Sequence, residues 1–369
     1  MKFIKTFLLL VLLSGCTIYH SQPLPEAYNE LREKQQVTDR HWEGSVIIPY
    51  QSSYPFYYVI GWLDSKTILI MEEFEGRSIM SQYHLFSSEK DIFYETPHIV
   101  HDVHINSNQS IIAIQEFNQE NQSADLLFLE RSGELLMKLE GFGEQYNVYF
   151  HPDNQNEVIV TAFLPDWQHE SYYLDIWTNE LLPITIEEAY VQWLPDAQLA
   201  YIKRGTDDMN VVAPLYRYSI KENKEEYTNQ DLIEYQYLGN SLSLHIDAET
   251  IYEENSVYSF YQDSMHIMDL EIPILSTHSN QWWIPFFDYG KETNFFYYFK
   301  PKYSSDYYSY NQRFELRQLS LETGEDKFLV EWQENVPFQL SPDENFLLIG
   351  TQFEQILRLD DLEISASIE

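Results

Sequence analysis

Histidine and carboxylate side chains are most concentrated in one stretch, Pro97-His98-Ile99-Val100-His101-Asp102-Val103-His104. Neutral imidazole and carboxylate groups are ligands that zinc takes in proteins. Alternate side chains share one face of a β-strand, so His98, Asp102 and His104 would lie together and His101 would lie on the other face. No second ligand cluster at metal spacing occurs elsewhere in the chain. We therefore favour a strand with ordinary histidines over a metal site, and we predict no bound metal.

Other patterns that carry catalysis are missing from the sequence. It has no G-x-S-x-G nucleophile motif, and its 12 glycines form no phosphate-binding loop. The acidic pairs Asp207-Asp208 and Asp360-Asp361 lack the Asp-x-Asp-x-Asp-Gly pattern of a calcium loop. With 59 acidic residues, chance pairs of carboxylates are inevitable and indicate no glycosidase. The sequence favours a binding protein over an enzyme.

A second candidate site is the stretch Tyr303-Ser304-Ser305-Asp306-Tyr307-Tyr308-Ser309-Tyr310. Tyrosine with serine gives broad contact area at a low cost in side-chain entropy, as in antibody contact loops. The four tyrosines Tyr303, Tyr307, Tyr308 and Tyr310 are therefore candidates for a binding loop. We favour a longer solvated hairpin without a ligand over that interpretation.

Cys16 is the only cysteine in 369 residues. It follows a basic start, an apolar run at 7–13 and Ser14-Gly15, which is the layout of a secretion signal. The run is far shorter than the about 20 residues that span a bilayer. Leu13-Ser14-Gly15-Cys16 resembles the lipobox of bacterial lipoproteins. The alternative is a plain secretion signal with a chance cysteine.

The lipobox resemblance implies a covalent anchor. The signal peptide at 1–15 would be removed, and the Cys16 sulfur would carry a diacylglycerol, with an acyl chain on the amino group as an option. We therefore predict a lipid-anchored protein at the extracytoplasmic face of the cell membrane, with no other cofactor.

The chain is strongly acidic, with a net charge of −37. Residues 1–15 contain two lysines and no acidic residue, so the cleaved chain would carry −39. Such a surface is repelled by phosphate backbones, so nucleic acid is excluded as a partner. We expect a monomer that is kept soluble by its charge.

Short apolar runs rich in β-branched and aromatic residues recur along the chain after a polar tether at 16–44. Examples lie at 67–71, 110–114, 157–160 and 345–349, and each has the length and composition of a strand. Turn residues precede them, as in Ser341-Pro342-Asp343-Glu344 and His151-Pro152-Asp153-Asn154. Their acidic or amide anchors stand at positions 64, 108, 153, 196, 240, 292 and 343.

The spacing of these anchors, close to 44 residues, is that of a β-propeller blade of four strands. Seven anchors predict an all-β propeller of seven blades at 45–362, with a C-terminal tail at 363–369. The last anchor leaves room for two further strands, so we predict that Ser45–Pro49 supplies the missing strand and closes the ring. The last two steps are overlong, and extra residues in a repeat commonly form a loop on the binding face.

The Pro-Asp turn followed by an apolar run resembles the TolB-type propeller repeat, although Glu344, Asn154 and Ala197 stand where that repeat has glycine. The whole chain resembles the YqgU-like propeller lipoproteins of Gram-positive bacteria, through its lipobox, aromatic acidic composition and repeat. That resemblance implies six blades, against seven from the anchors, and it implies no activity.

Three functions remain open from the sequence. The first is a non-catalytic propeller that binds a protein or a cell-wall component at one rim. The second is a cell-wall glycan hydrolase or lyase centred on the channel, with His98, Asp102 and His104 near the axis. The third is an assembly or sensory accessory of a membrane complex.

Overall fold

The computed structural model describes residues 46–369, apart from 53, 55, 120–122, 166–167, 195–197, 205–211, 249–252 and 278–281. Val46–Glu369 form one compact unit. Cys16, the predicted signal peptide, the tether and Asp207-Asp208 lie outside the described residues, as does Pro195-Asp196-Ala197. No helix in the described part of the chain is long and apolar enough to cross a membrane.

Short strands follow one another along this unit. Those of the first four blades are β1 (Phe56–Trp62), β2 (Thr67–Phe74), β3 (Arg77–His84), β4 (Lys90–Thr96), β5 (Ile99–Ile105), β6 (Ile111–Asn118), β7 (Ser123–Glu130), β8 (Leu135–Gly143), β9 (Gln145–Phe150), β10 (Glu157–Phe163), β11 (His169–Asp175), β12 (Glu180–Ile184), β13 (Gln192–Leu194), β14 (Gln198–Ile202), β15 (Ala213–Ser219) and β16 (Lys224–Leu232).

The remaining strands build three blades and one smaller sheet. They are β17 (Glu234–Gly239), β18 (Leu242–Asp247), β19 (Asn255–Gln262), β20 (Met265–Pro273), β21 (Leu275–Ser276), β22 (Trp282–Trp283), β23 (Phe287–Gly290), β24 (Phe295–Lys300), β25 (Ser305–Asp306), β26 (Phe314–Ser320), β27 (Asp326–Trp332), β28 (Phe338–Leu340), β29 (Phe346–Ile349), β30 (Gln355–Arg358) and β31 (Ile364–Ala366). A 3₁₀ turn at Tyr307–Ser309 follows β25.

Seven four-stranded antiparallel sheets confirm the predicted β-propeller and, within the described residues, its seven blades. Blades 1 to 5 take β1–β4, β5–β8, β9–β12, β13–β16 and β17–β20 in chain order. Blade 6 consists of β23, β24, β26 and β27, and blade 7 of β28–β31. The first strands of neighbouring blades contact each other. Examples are β1 with β5 and β23 with β28. They therefore surround the propeller axis.

Burial explains the apolar runs of the sequence. The runs at 67–71 and 345–349 form β2 and β29, the second strands of their blades, and Phe346–Ile349 is buried throughout. A second strand has a neighbouring blade over each face, so it lacks the polar alternation of a half-exposed strand. Fourth strands such as β16 lie at the rim and are mostly exposed.

Each of the six predicted anchors that the structure describes lies between the first and second strand of a blade. In blades 7 and 3 the polar contact that holds the turn comes from the residue that opens it. Ser341 Oγ accepts hydrogen bonds from the N–H groups of Asn345 (3.2 Å) and Phe346 (3.0 Å). His151 does the same through Nδ1, from Asp153 (3.0 Å) and Asn154 (2.9 Å). Side chains that accept in this way stabilise tight turns.

Glu344 occupies the position where the TolB-type repeat has glycine. Its φ of +56° lies in the left-handed region that glycine adopts most readily. Its carboxylate accepts hydrogen bonds from the N–H groups of Glu292 (2.8 Å) and Thr293 (3.0 Å) in the neighbouring blade. This contact between blades explains why a side chain is retained at a strained position.

The strand order gives the propeller two distinct faces. In each antiparallel blade the turns between first and second strands lie at one end, which we call the turn face. Connections between second and third strands, and from one blade to the next, lie at the opposite end, which we call the crossover face. Contacts between turns of different blades, such as Ser107 Oγ donating to Pro152 O (3.0 Å), agree with this assignment.

The ring closes where the two ends of the described chain meet. Tyr50 forms a parallel bridge with Ile368, and its N–H donates to Ser367 O (2.8 Å). Trp62 Nε1 donates to Gln339 O (3.1 Å), which joins blade 1 to blade 7. The ring is therefore closed by noncovalent contacts alone between its first and last blades.

Two details of the predicted closure are wrong. Residues 46–49 form no strand, and the fourth strand of blade 7 is β31. Residues 363–369 are therefore not a tail, because β31 pairs with β30 and Ile368 pairs with Tyr50. We expected room for only two strands after the last anchor, but three fit there, because β30 and β31 are short and the turn between them is tight.

Glu72 joins the N-terminal segment to blade 1, and its removal should destabilise the closed ring. Its side chain is 0% exposed and accepts hydrogen bonds from Tyr50 Oη, Ser52 Oγ (2.9 Å) and Lys90 Nζ (2.6 Å). We expect Glu72→Ala to lower the free energy of unfolding by about 3 kcal/mol, because it leaves the partly buried Lys90 without its carboxylate partner. Urea denaturation measures this loss. The matched control is Glu73→Ala on the exposed side of the same strand, for which a change within about 0.5 kcal/mol is expected. Equal losses in both variants would contradict the assigned role.

Candidate functional site

A cavity of about 440 Å³ lies on the axis near the turn face. First strands and their turns line it, including His104 and Asn106 of blade 2, His151 of blade 3, Lys291 of blade 6 and Gln339 of blade 7. The prediction that one end of the histidine stretch looks toward the channel agrees with the position of His104.

The structure does not bring the predicted metal ligands together. His104 Nε2 lies 3.0 Å from Asp102 Oδ2, so these two side chains form a pair. A β-bulge between Val100 and Asp102 interrupts the alternation, which turns Asp102 and His104 away from the face that His98 would share. No group of three or more His, Cys, Asp or Glu side chains in the described residues is arranged to hold a metal.

Asp102 is an ordinary partner of His104. Burial opposes ionisation of its carboxyl, but hydrogen bonds from His104 and from the Val103 N–H (2.8 Å) hold its pKa below the usual range. His101, on the bulge, is exposed. This pair is suited to holding the end of β5 and offers no third ligand.

Lys291 connects blades across the axis. Its Nζ donates to Pro152 O (3.0 Å) and lies 3.8 Å from Asp153 Oδ1. Burial lowers the pKa of Lys291, and the nearby carboxylates oppose that effect. Asp153 also accepts a hydrogen bond from Tyr237 Oη (2.6 Å) in blade 5. The polar side chains of Lys291, Asp153 and Tyr237 therefore join blades 3, 5 and 6 at this end of the axis.

Asp288, on the first strand of blade 6, has an unusual environment. Burial raises the pKa of its carboxyl to about 6, although Leu340 N and Tyr289 N both donate to it (2.8 Å each). The negative charge of Glu344 adds to the rise, and Lys291 opposes it. Neither Asp288 nor Lys291 was identified from sequence, because nothing in the local pattern marks a side chain that points to the axis.

A second sheet interrupts the regular repeat at the crossover face of blade 6. It consists of β22, β21 and β25, with β21 parallel to β25, and it is built from the connection into the blade and the connection between β24 and β26. The Tyr307–Ser309 turn continues it. Asp306 caps this turn, accepting from the N–H groups of Tyr308 (3.1 Å) and Ser309 (3.2 Å).

This sheet and turn present a set of aromatic side chains that we call the aromatic platform: Trp283, Tyr303, Tyr307, Tyr308 and Tyr310. Tyr307 stacks on Trp283 with ring centroids 4.4 Å apart, and Tyr303 packs against Tyr310 at 5.1 Å. Tyr308 is 68% exposed, Tyr303 is 43% exposed and Trp283 is 37% exposed.

The predicted tyrosines thus lie in one folded feature of the crossover face, and not in a plain hairpin. Tyr310 contributes mainly to its support, since it packs on Phe314 and its Oη accepts from the Lys302 N–H (2.9 Å). Trp283 is exposed because β22 belongs to the small sheet and not to a blade.

The chain is similar to known proteins over most of its length. The family model described as the YqgU-like 6-bladed beta propeller domain matches residues 84–350. A Bacillus subtilis (strain 168) protein named uncharacterized lipoprotein YqgU is 25% identical over 315 residues, which cover 82% of each chain. The family match begins at the end of β3 and stops before β30. The described structure nevertheless contains seven four-stranded sheets, because the first and last blades extend beyond that segment.

Solved structures support the fold. An uncharacterized protein from Listeria monocytogenes EGD-e has a TM-score of 0.79 at 14% identity, covering 88% of this chain and 98% of its own. The β-propeller domain of the Trilobed protease from Pyrococcus furiosus, described as having an open velcro topology, has a TM-score of 0.58 at 9% identity. That match covers 85% of this chain and 98% of the domain. At these identities the similarity concerns the fold alone.

Asp288 predicts a defined pH dependence of stability. Its folded pKa of about 6 lies above the unfolded value near 4, so its contribution is complete below about pH 4 and is lost as the pH rises through 6. Asp288→Asn removes this titration. The stability of the variant relative to the native chain should therefore rise between pH 4 and 7 and then level off. Denaturation of both proteins across that range measures the difference, and a flat or falling difference would show that Asp288 does not titrate in this way.

Proposed function

The chain belongs to the YqgU-like β-propeller family, and we propose that it is a lipid-anchored, extracytoplasmic binding module whose aromatic platform contacts a protein partner. The observation that carries the proposal is the exposed platform on a sheet that the propeller repeat does not require. Everything else in blade 6 follows the four-stranded pattern of the other blades.

The composition of the platform fits a protein interface. Tyrosine and tryptophan dominate the energetically important positions of such interfaces, since their large rings bury much apolar area with few rotatable bonds. Tyr307 is held against Trp283, and the Tyr307–Ser309 turn is capped by Asp306. The contact surface is therefore ordered in advance, which reduces the entropy lost on binding.

The electrostatics of the platform favour a protein over a polyanionic wall polymer. The neighbouring cations share one acidic partner, since Lys302 Nζ lies 2.5 Å and Arg313 Nη1 lies 4.0 Å from Glu331. The whole chain is strongly acidic. A wall polyanion would be repelled by this net charge. A protein partner with an apolar patch would match the aromatic rings, and a basic rim on that partner would match the negative potential of the chain.

Contacts at the axis support binding over catalysis at the channel. Lys291, Asp153 and Tyr237 are engaged with one another between blades. Asp102 and His104 are engaged as a pair. These groups have structural partners already, so the platform carries the proposal better than the axial cavity does.

The membrane anchor is supported by the sequence Leu13-Ser14-Gly15-Cys16 and by the lipoprotein name of the Bacillus subtilis relative. An acyl chain contributes roughly 0.8 kcal/mol for each buried CH₂, so two chains hold a protein firmly at a bilayer. The anchor would confine the propeller to the membrane surface and raise its effective concentration toward membrane-bound partners.

Cys16→Ser should abolish lipid attachment. We expect the variant to lose incorporated radiolabelled fatty acid and to leave the membrane fraction, or to remain as uncleaved precursor. Fractionation and labelling of intact cells measure both, and Ser14→Ala serves as a control that retains a small residue near the cleavage site. Membrane retention of the Cys16→Ser chain after signal cleavage, without lipid, would contradict the anchor.

The platform should account for the partner contact. We expect Tyr308→Ser combined with Trp283→Ser to reduce chemically crosslinked adducts of the full chain in intact cells by about tenfold, because both changes remove exposed ring area from the centre of the contact. Tyr190→Ser is the matched control, since Tyr190 is 71% exposed and lies outside the platform. Adduct yields that stay unchanged in the double variant, or fall equally in the control, would contradict the assignment.

A further inference from the structure

One interface between blades differs from the other six in the described structure. Hydrophobic clusters fill the contacts of blades 1 and 2, 2 and 3, 3 and 4, 5 and 6, 6 and 7, and 7 and 1. Between blades 4 and 5 only the inner part is apolar, where Leu215 lies with Tyr235 and Tyr237. The outer part opens into a cleft of about 750 Å³, within the size range of small-ligand sites.

The wall on blade 4 is formed by one face of β14 and β15. Ala200 pairs with Arg217 and Ile202 pairs with Leu215, so these four side chains lie on the same face of the sheet. Gln198 lies on this face too, at the start of β14. In blades 1, 2, 3, 6 and 7 the corresponding second strands carry continuous apolar runs. Here Gln198 and Arg217 bring polar groups into the space between blades.

The wall on blade 5 carries rings and neutral polar groups. Tyr235 and His245 are register partners, as are Ser243 and Tyr261. The ring of His245 lies between those of Tyr235 and Tyr261, with centroids 5.1 Å and 4.4 Å away. Burial lowers the pKa of His245 to about 4, so the imidazole is neutral at neutral pH and has one donor and one acceptor.

Arg217 is the cation of this cleft. Its side chain is exposed, and it forms no ion pair with any residue that the structure describes, although the chain has 59 acidic residues. Arginine offers a planar fork of donors that matches a carboxylate with two parallel hydrogen bonds. A guanidinium beside tyrosine rings therefore suits a ligand that combines a carboxylate with a polar ring.

We propose that the cleft between blades 4 and 5 binds a short saccharide that carries a carboxylate. Arg217 holds the carboxylate, Tyr261 covers one face of the sugar, and Gln198, Ser243 and His245 exchange hydrogen bonds with its hydroxyl and amide groups. Sugars have apolar ring faces and polar edges, which is the distribution that these walls present. Polar groups placed between blades, where the other interfaces are apolar, gain partners from such a ligand.

This site does not depend on the aromatic platform, which is built on blade 6 and the connections that enter and interrupt it. Calorimetry tests the proposal by measuring how the disaccharide of N-acetylglucosamine and N-acetylmuramic acid binds to the full lipidated chain in detergent. The N-acetylglucosamine disaccharide, which lacks the carboxylate, is the matched probe. We expect the carboxylated disaccharide to bind at least about tenfold more tightly, because only its carboxylate gains charge-assisted hydrogen bonds from Arg217.

Arg217→Gln should remove this preference, because it deletes the charge at an exposed position without altering the core. Arg77→Gln is the control, since Arg77 pairs with Glu95 at 3.0 Å on blade 1, away from the cleft. Ser243→Leu should block both probes by filling the cleft. The proposal is overturned if neither disaccharide binds the native chain, if Arg217→Gln keeps the preference, or if Arg77→Gln loses it equally. If Arg217→Gln and Ser243→Leu leave the yield of crosslinked protein adducts in intact cells unchanged, the saccharide site acts independently of the aromatic platform.

Discussion

The fold depends on closing the ring between blade 7 and blade 1. Each blade is a sheet whose two faces both need cover, and only a closed circle supplies a neighbour on each side of every blade. Six of the junctions are also continuous along the chain. The seventh rests on Trp62 with Gln339, on Tyr50 with Ile368, and on the buried carboxylate of Glu72 that holds Tyr50 and Lys90. If this junction opens, Phe346 and Trp62 lose the apolar contact that buries them.

Closure also explains where binding sites can arise. A blade that fills its interfaces with apolar side chains leaves no place for a ligand, and most blades of this chain do so. Two departures from the repeat stand out against that regular background. One is the sheet of β21, β22 and β25, which exposes the aromatic platform, and the other is the polar cleft between blades 4 and 5. The axial cavity, by contrast, is bordered by Lys291, whose contacts with Pro152 and Asp153 hold blades 3 and 6 together.

The sequence predicted the repeat well because turn chemistry and apolar runs are local. The six anchors that the structure describes fall between first and second strands, and the tyrosines at 303–310 fall in a feature outside the repeat. The sequence-based prediction failed where a feature depends on contacts between residues that are far apart in the chain. A bulge at 100–102 separated His98 from Asp102 and His104, and the apolar look of Trp283 concealed its exposure. No single stretch of the sequence indicates the cleft, since Arg217 and Tyr261 line it together only when two blades stack.

The central claim is that the platform contacts a protein partner at the membrane. The most direct measurement replaces Tyr308 with a photoreactive amino acid in the otherwise native, lipidated chain and irradiates intact cells. We expect a discrete protein adduct from position 308 and none from position 190, which is similarly exposed outside the platform. Adducts of the same mass and yield from both positions, or none from position 308, would contradict it.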